Sequence, residues 1–187
     1  MDIFRKTAEN MTMHIIVDGY NLIRQSDVLR RYDRISLEEG RRALVLNLAR
    51  YRKMRGHRIT VVFDGWEGGS PQEERDHAGD VEIIYSRLGE KADEVIKRLL
   101  KAGSEEILVV TSDREIAVFA ERRGKTAIDS PAFADRLDRI AAGNLPDAPP
   151  EMETEDDDDR AATAKKKGPS RRLSKQKRAA LSRLRKL

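Results

Sequence analysis

Three apolar runs that each end on an aspartate constrain this chain more than any other feature. Residues 13–18 read Met-His-Ile-Ile-Val-Asp, residues 59–64 Ile-Thr-Val-Val-Phe-Asp, and residues 107–113 Ile-Leu-Val-Val-Thr-Ser-Asp. Runs this short and this continuously apolar predict strands buried on both faces, as in parallel sheets covered by helices. The segments between them carry helix signals. Ser36-Leu37-Glu38-Glu39 has the spacing of a capping box, and Gly56 is placed to end the helix it opens. Leu37, Leu44, Leu48 and Tyr51 share one stripe of that helix, while Arg41, Arg42, Arg50, Arg52, Lys53 and Arg55 crowd the remainder. Those bases read first as a solvated face, with a phosphate-contacting wall as the alternative. Residues 81–85 predict a third strand, and a helix opened at Gly89 and ended at Gly103 follows it. The fourth strand covers 107–111. A helix over 114–123 closes at Gly124, residues 126–128 form a fifth strand, and Ser130-Pro131 starts a last helix running to about Ala142. Regular alternation of strand and helix calls for an α/β sandwich, a parallel sheet with helices on both faces joined by right-handed crossovers.

The 187 residues contain no cysteine and three histidines. This removes disulfides, thiolate metal sites and a cysteine nucleophile, and fits a reducing compartment. Residues 1–12 contain no apolar stretch of signal-peptide length, and no later run is long enough to span a bilayer. The expectation is a cytoplasmic protein with no membrane partner. Its net charge of +4 is unevenly spread: residues 165–187 carry 11 Lys or Arg and no acid, and residues 151–160 carry seven acids and one base. Taken from totals of 37 bases and 33 acids, that leaves 25 bases and 26 acids in residues 1–150. The body is nearly neutral, and the tail has the character of a polyanion-binding arm. The expected division is a flexible extension over 1–12, a folded domain over 13–143, a Pro-containing acidic linker over 144–164, and a basic tail over 165–187. Composition predicts the charged C-terminal part to be disordered or partly helical, with Ser174 able to cap a helix carrying Leu181, Leu184 and Leu187 on one side.

Ligands of open parallel sheets bind beyond the carboxyl ends of the strands. Asp18, Asp64 and Asp113 fall there, and Asp93, in the first turn of the helix after the third strand, belongs to the same edge with its side chain directed inward and that of Glu94 outward. Asp93 alone would be an ordinary partner of a helix dipole. Together the four acids would repel one another and raise each other's pKa unless a cation were present. An all-oxygen donor set suits magnesium or manganese, and such a site suits phosphodiester hydrolysis with water as the nucleophile. Asn21, Thr111 and Ser112 could orient a carboxylate or the phosphate. His14, inside the first strand, reads as a packed residue rather than a base. Trp66, the only tryptophan, is placed to stack a base or to pack against its own domain.

Val17-Asp18-Gly19-Tyr20-Asn21-Leu22, Val62-Phe63-Asp64, Gly89-Glu90-Lys91-Ala92-Asp93 and Val110-Thr111-Ser112-Asp113, in this order and spacing, resemble the YacP-like branch of the NYN domains, PIN-like metal-dependent ribonucleases. The resemblance spans roughly residues 13–143. It implies a PIN-like three-layer sandwich with a parallel central sheet of order 3-2-1-4-5 and an acidic pocket binding magnesium or manganese. It also implies endonucleolytic hydrolysis of RNA, with messenger RNA at the ribosome as the target of some relatives. By motif match, Asp18, Asn21, Asp64, Asp93 and Asp113 inherit the catalytic role, the four aspartates as metal ligands, and Ser112 a supporting one. The chain departs from the pattern at Asp64-Gly65-Trp66, where a small residue is expected after the aspartate, and in its acidic-then-basic tail. A receiver domain fits poorly, because the first strand delivers a lone Asp18 and the third ends in Ser86-Arg87. A haloacid-dehalogenase phosphatase fits no better, because Asp18-Gly19-Tyr20 lacks the second aspartate. The remaining alternative is an RNA- or ribosome-binding module with a weak or inactive acidic site, its affinity supplied by the basic tail.

Overall fold

The computed structural model describes residues 13–65, 70–103 and 106–142. The extension over 1–12, Trp66, the acidic linker and the basic tail with its expected helix lie outside the described residues. The elements run β1 His14–Asp18, α1 Gly19–Gln25, α2 Leu29–Asp33, α3 Leu37–Arg55, β2 Arg58–Phe63, β3 Glu74–Ala78, β4 Val81–Tyr85, α4 Ala92–Ala102, β5 Ile107–Val110, α5 Arg114–Arg122, β6 Thr126–Ile128 and α6 Ser130–Ala141.

Local chemistry explains most boundaries. Ser36 accepts from the Glu39 amide at 3.1 Å and opens α3, and Gly56, at φ 73°, closes it in the left-handed conformation that a side chain would oppose. Asp18, Asp113 and Asp129 cap α1, α5 and α6 in the same manner. Lys91 provides no side-chain cap for α4. That cap comes from across the fold, where Asp64 Oδ1 accepts from the Ala92 amide at 2.6 Å.

All six strands form one sheet of order β3-β4-β2-β1-β5-β6. β1 pairs in parallel with β2 and β5, β2 with β4, and β5 with β6, whereas β3 pairs antiparallel with β4. The expected five-stranded, all-parallel sheet of order 3-2-1-4-5 is thus corrected to a mixed sheet of six. The added strand, Glu-Arg-Asp-His-Ala, is exposed along its length and has no apolar alternation to announce it. It is fixed instead by the two-residue turn Gly79-Asp80, whose φ values of 54° and 62° match the hairpin turn that follows the twist of the flanking strands. Arg75 holds it to the sheet through Glu82 at 3.0 Å.

Successive strand residues face opposite ways. Ile16, Val62, Ile84 and Val109 pack with Val95, Ile96 and Leu100 of α4 and Ile116 and Ala120 of α5. On the other side Tyr51 of α3 meets Phe133 of α6 with ring centroids 5.4 Å apart. The residues expected in a loop after Asp18 form α1 and α2, two helices too short to show a periodicity. Leu37 is also corrected: it is 55% exposed at the first turn of α3, before that helix reaches the core, while Leu44, Leu48 and Tyr51 are fully buried. No helix among the described residues is long and apolar enough to cross a membrane.

Candidate functional site

The carboxyl ends of β1, β2 and β5 lie side by side in the register that pairs Asp18 with Val62 and Val17 with Val110. Asp18 is the deepest of the acids at 8% exposure. Its Oδ1 accepts from the Asn21 amide at 3.2 Å and its Oδ2 from the Thr111 hydroxyl at 3.2 Å. Burial pushes its carboxyl up to about 6. Those two hydrogen bonds oppose the rise, and the charges of Asp93 and Asp64 add to it.

Asp93 is half-buried on α4 and Glu94 exposed. Burial raises the Asp93 pKa first and the charge of Asp113 next, against the lowering effect of Lys97, with Asp64 and Glu115 raising it further. Asp113 sits at the start of α5, its Oδ1 accepting from the amides of Glu115 at 2.7 Å and Ile116 at 3.2 Å. Thr111 joins the two sides of this edge, accepting from the Asp113 amide at 3.0 Å while donating to Asp18.

Glycine makes the close approaches here. A Cβ on Gly19 would lie 2.3 Å from the Phe63 ring, and one on Gly65 would lie 2.1 Å from the Ser86 carbonyl oxygen. Ser86 fastens the turn after β2, accepting from the Gly65 amide at 2.8 Å and donating to the Glu90 carbonyl at 2.6 Å. Behind it, Phe63 stacks on Tyr85 with centroids 5.7 Å apart and meets the Tyr20 ring edge-on at 5.2 Å. The Arg41 guanidinium lies 5.6 Å from the Tyr85 ring centre, so one of the α3 arginines is part of this cluster rather than of a solvated face.

The fold therefore brings Asp93 within electrostatic reach of Asp18, Asp64 and Asp113, and Asp18 within reach of Asp64. It does not bring them into one tight cage: among the described residues, no group of three or more Asp, Glu or His side chains is arranged to hold a metal ion. The donor chemistry fits a hard cation nonetheless. Magnesium retains several waters and takes only one or two carboxylates directly, and a buried carboxylate raised by its neighbours is relieved by positive charge. Ser112 is exposed, and its backbone rather than its hydroxyl meets Asn21. His14 lies at the opposite end of β1 from Asp18, with Nε2 2.8 Å from the Thr60 hydroxyl, which donates to Glu82. Sequence reasoning passed over Ser86 and Ser130. Ser130 donates to Asn21 Oδ1 at 2.7 Å from 109 positions away, and its sequence neighbourhood shows only a helix start.

The chain is 34% identical over 113 residues to the uncharacterized protein YacP of Bacillus subtilis (strain 168). The aligned part is 57% of this chain and 65% of that protein, slightly under two thirds of its length. Crystal structures of Rae1 (YacP) from the same organism match with a TM-score of 0.57. One, of a point mutant in which leucine replaces a tryptophan, is 28% identical, over 70% of this chain and 77% of that one. The other is 30% identical, over 69% and 75%. The model of the YacP-like NYN domain matches residues 15–186, continuing through the charged segments beyond residue 143, where the resemblance was expected to stop. With the motif aspartates at one edge of an α/β sheet and a family match spanning nearly the whole sequence, this chain belongs to the YacP-like NYN domain family.

Proposed function

We propose that this protein is a metal-dependent endoribonuclease that hydrolyses phosphodiester bonds of RNA at the edge where Asp18, Asp64, Asp93 and Asp113 meet. The observation that carries the reading is Asp18. A carboxylate 8% exposed, raised to about 6 by burial and then by its acidic neighbours, is a costly group to keep in a strand that could end on a serine. Its retention is accounted for by a cation that it helps to hold.

The four aspartates would hold magnesium or manganese, with Asp18 and Asp64 nearest the strand ends. Such an ion supplies charge neutralisation at the phosphate and an activated water. The chain's own groups do the rest. Thr111 fixes the Asp18 carboxylate, and Asp64 and Asp113 are oriented by the amides they cap, so the acids are set before substrate arrives. Asp93, raised by burial and by Asp113, is suited to take up a proton from the attacking water. Single-stranded RNA is the proposed substrate. Messenger RNA at the ribosome is its proposed setting, on the strength of the family resemblance, and the cytoplasm its compartment.

Purified protein with manganese should cleave a single-stranded RNA and leave 5′-phosphate ends, and the variant carrying Asp18→Asn with Asp64→Asn should not. An unchanged rate in the double variant sinks the nuclease reading at this site. A second reading is favoured by the 11 bases in residues 165–187: an RNA- or ribosome-binding module whose acidic edge is idle. It predicts binding that falls steeply with salt and no cleavage under any divalent ion.

A further inference from the structure

Asn21 carries one oxygen and one NH2, and its neighbours decide which faces where. The Ser112 backbone N–H points at one end of the carboxamide, 3.0 Å away. A backbone N–H can only donate, so that end is the oxygen. The Ser130 hydroxyl reaches the same oxygen at 2.7 Å and must donate as well. The Ser130 amide in turn donates to the Ser112 hydroxyl at 3.2 Å, which closes a ring of hydrogen bonds joining α1, the end of β5 and the start of α6. Ser130 is wholly buried, and Asn21 is half-buried. With the oxygen engaged twice, the NH2 is turned to the other side of the carboxamide, and none of the described residues accepts from it.

That orientation matters beside four acids. A phosphodiester entering an edge of carboxylates meets repulsion, and an amide oxygen turned outward would add to it. An NH2 turned outward is a neutral donor to a non-bridging phosphate oxygen, strongest when charge builds there in the transition state. We propose that Ser130 is a positioning residue for RNA cleavage: it locks the Asn21 carboxamide so that the NH2, not the oxygen, is presented to the scissile phosphate. The proposal rests on the nuclease reading.

A double-mutant cycle in the full-length protein with manganese tests it. Ser130→Ala should lower kcat about tenfold with KM within about twofold, the loss expected when one orienting hydrogen bond is removed from a group that acts in the transition state. In an Asn21→Ala background the same change should add less than about twofold, because nothing remains for Ser130 to orient. Asn21→Asp keeps both accepted bonds but has no NH2, so it should lose as much kcat as Asn21→Ala. Unchanged kcat in Ser130→Ala, losses that multiply in the cycle, or wild-type kcat in Asn21→Asp overturns the proposal while the nuclease reading stands. A wild type that does not cleave overturns both. Thermal melts accompany each variant, and should Ser130→Ala fail to fold, Asn21→Asp decides alone.

Discussion

Replacing Asp18 by asparagine should make the metal-free protein more stable while abolishing its activity. The Asp18 carboxyl is raised from 3.8 to about 6, chiefly by burial. At about 1.4 kcal/mol per pKa unit, this corresponds to an upper bound of about 3 kcal/mol by which the ionised group opposes folding at neutral pH. The folded state binds this proton more tightly than the unfolded chain. The penalty is therefore complete above pH 6, shrinks as pH falls from 6 to 3.8, and is gone below that. Asparagine carries no charge and keeps an oxygen for the Asn21 amide, although its NH2 disturbs the hydrogen bond from Thr111. Allowing about 1 kcal/mol for that bond leaves a net gain of about 2 kcal/mol at pH 7. For a domain of about 130 residues this is roughly 8 °C in Tm. Urea unfolding of both proteins in EDTA, from about pH 4 to about pH 7.5, reads the difference directly: titrating groups away from the site cancel between them, and the relief of Asp64 and Asp93 from the Asp18 charge adds to the gain in the same direction. The gain should appear only as pH rises through the interval from 3.8 to 6, and manganese should reduce or reverse it. A variant no more stable than wild type at neutral pH, or a difference constant with pH, would show that burial does not load this carboxylate as argued.

Other perturbations separate structure from chemistry at the same edge. Asp64→Ala should cost about 1 kcal/mol in urea unfolding through loss of the α4 cap, whereas Asp64→Asn should retain it, and both should lose cleavage; equal stabilities would remove the cap from the account. Gly65→Ala forces a methyl against the Ser86 carbonyl and should destabilise by about 2 kcal/mol, so an unchanged Tm would contradict the packing described. Deleting residues 165–187 should weaken RNA binding and flatten its dependence on salt while sparing slow cleavage of a short oligonucleotide. Titrations at two ionic strengths check this, and equal affinity with and without the tail rejects it.

The sequence announced what depends on neighbours in the chain. β1, β2 and β5 were readable because their residues are apolar on both faces, and α3 and α6 because Ser36, Gly56 and Pro131 mark their ends. β3 escaped because its five residues are exposed, although Gly79-Asp80 between two short segments was a hairpin signal of the right length. The motif positions of the four acids were legible, yet their further duties were not. That Asp64 caps α4 depends on a contact across 28 residues, and that Ser130 grips Asn21 on one across 109. The acids also stand further apart than a cage of direct ligands requires, a separation set by the spacing of strands and by the amides each carboxylate already serves.

β3 has one more consequence. The outermost strand of a sheet offers a row of free backbone groups to any extended chain that drifts past. Here that row is lined by Glu74, Arg75, Asp76 and His77, all exposed and alternating in character. A visiting strand would have to bring its own side chains up against mixed charges and strip water from them. The rim thus turns away casual lateral growth and keeps this sheet from becoming a seed for further strands.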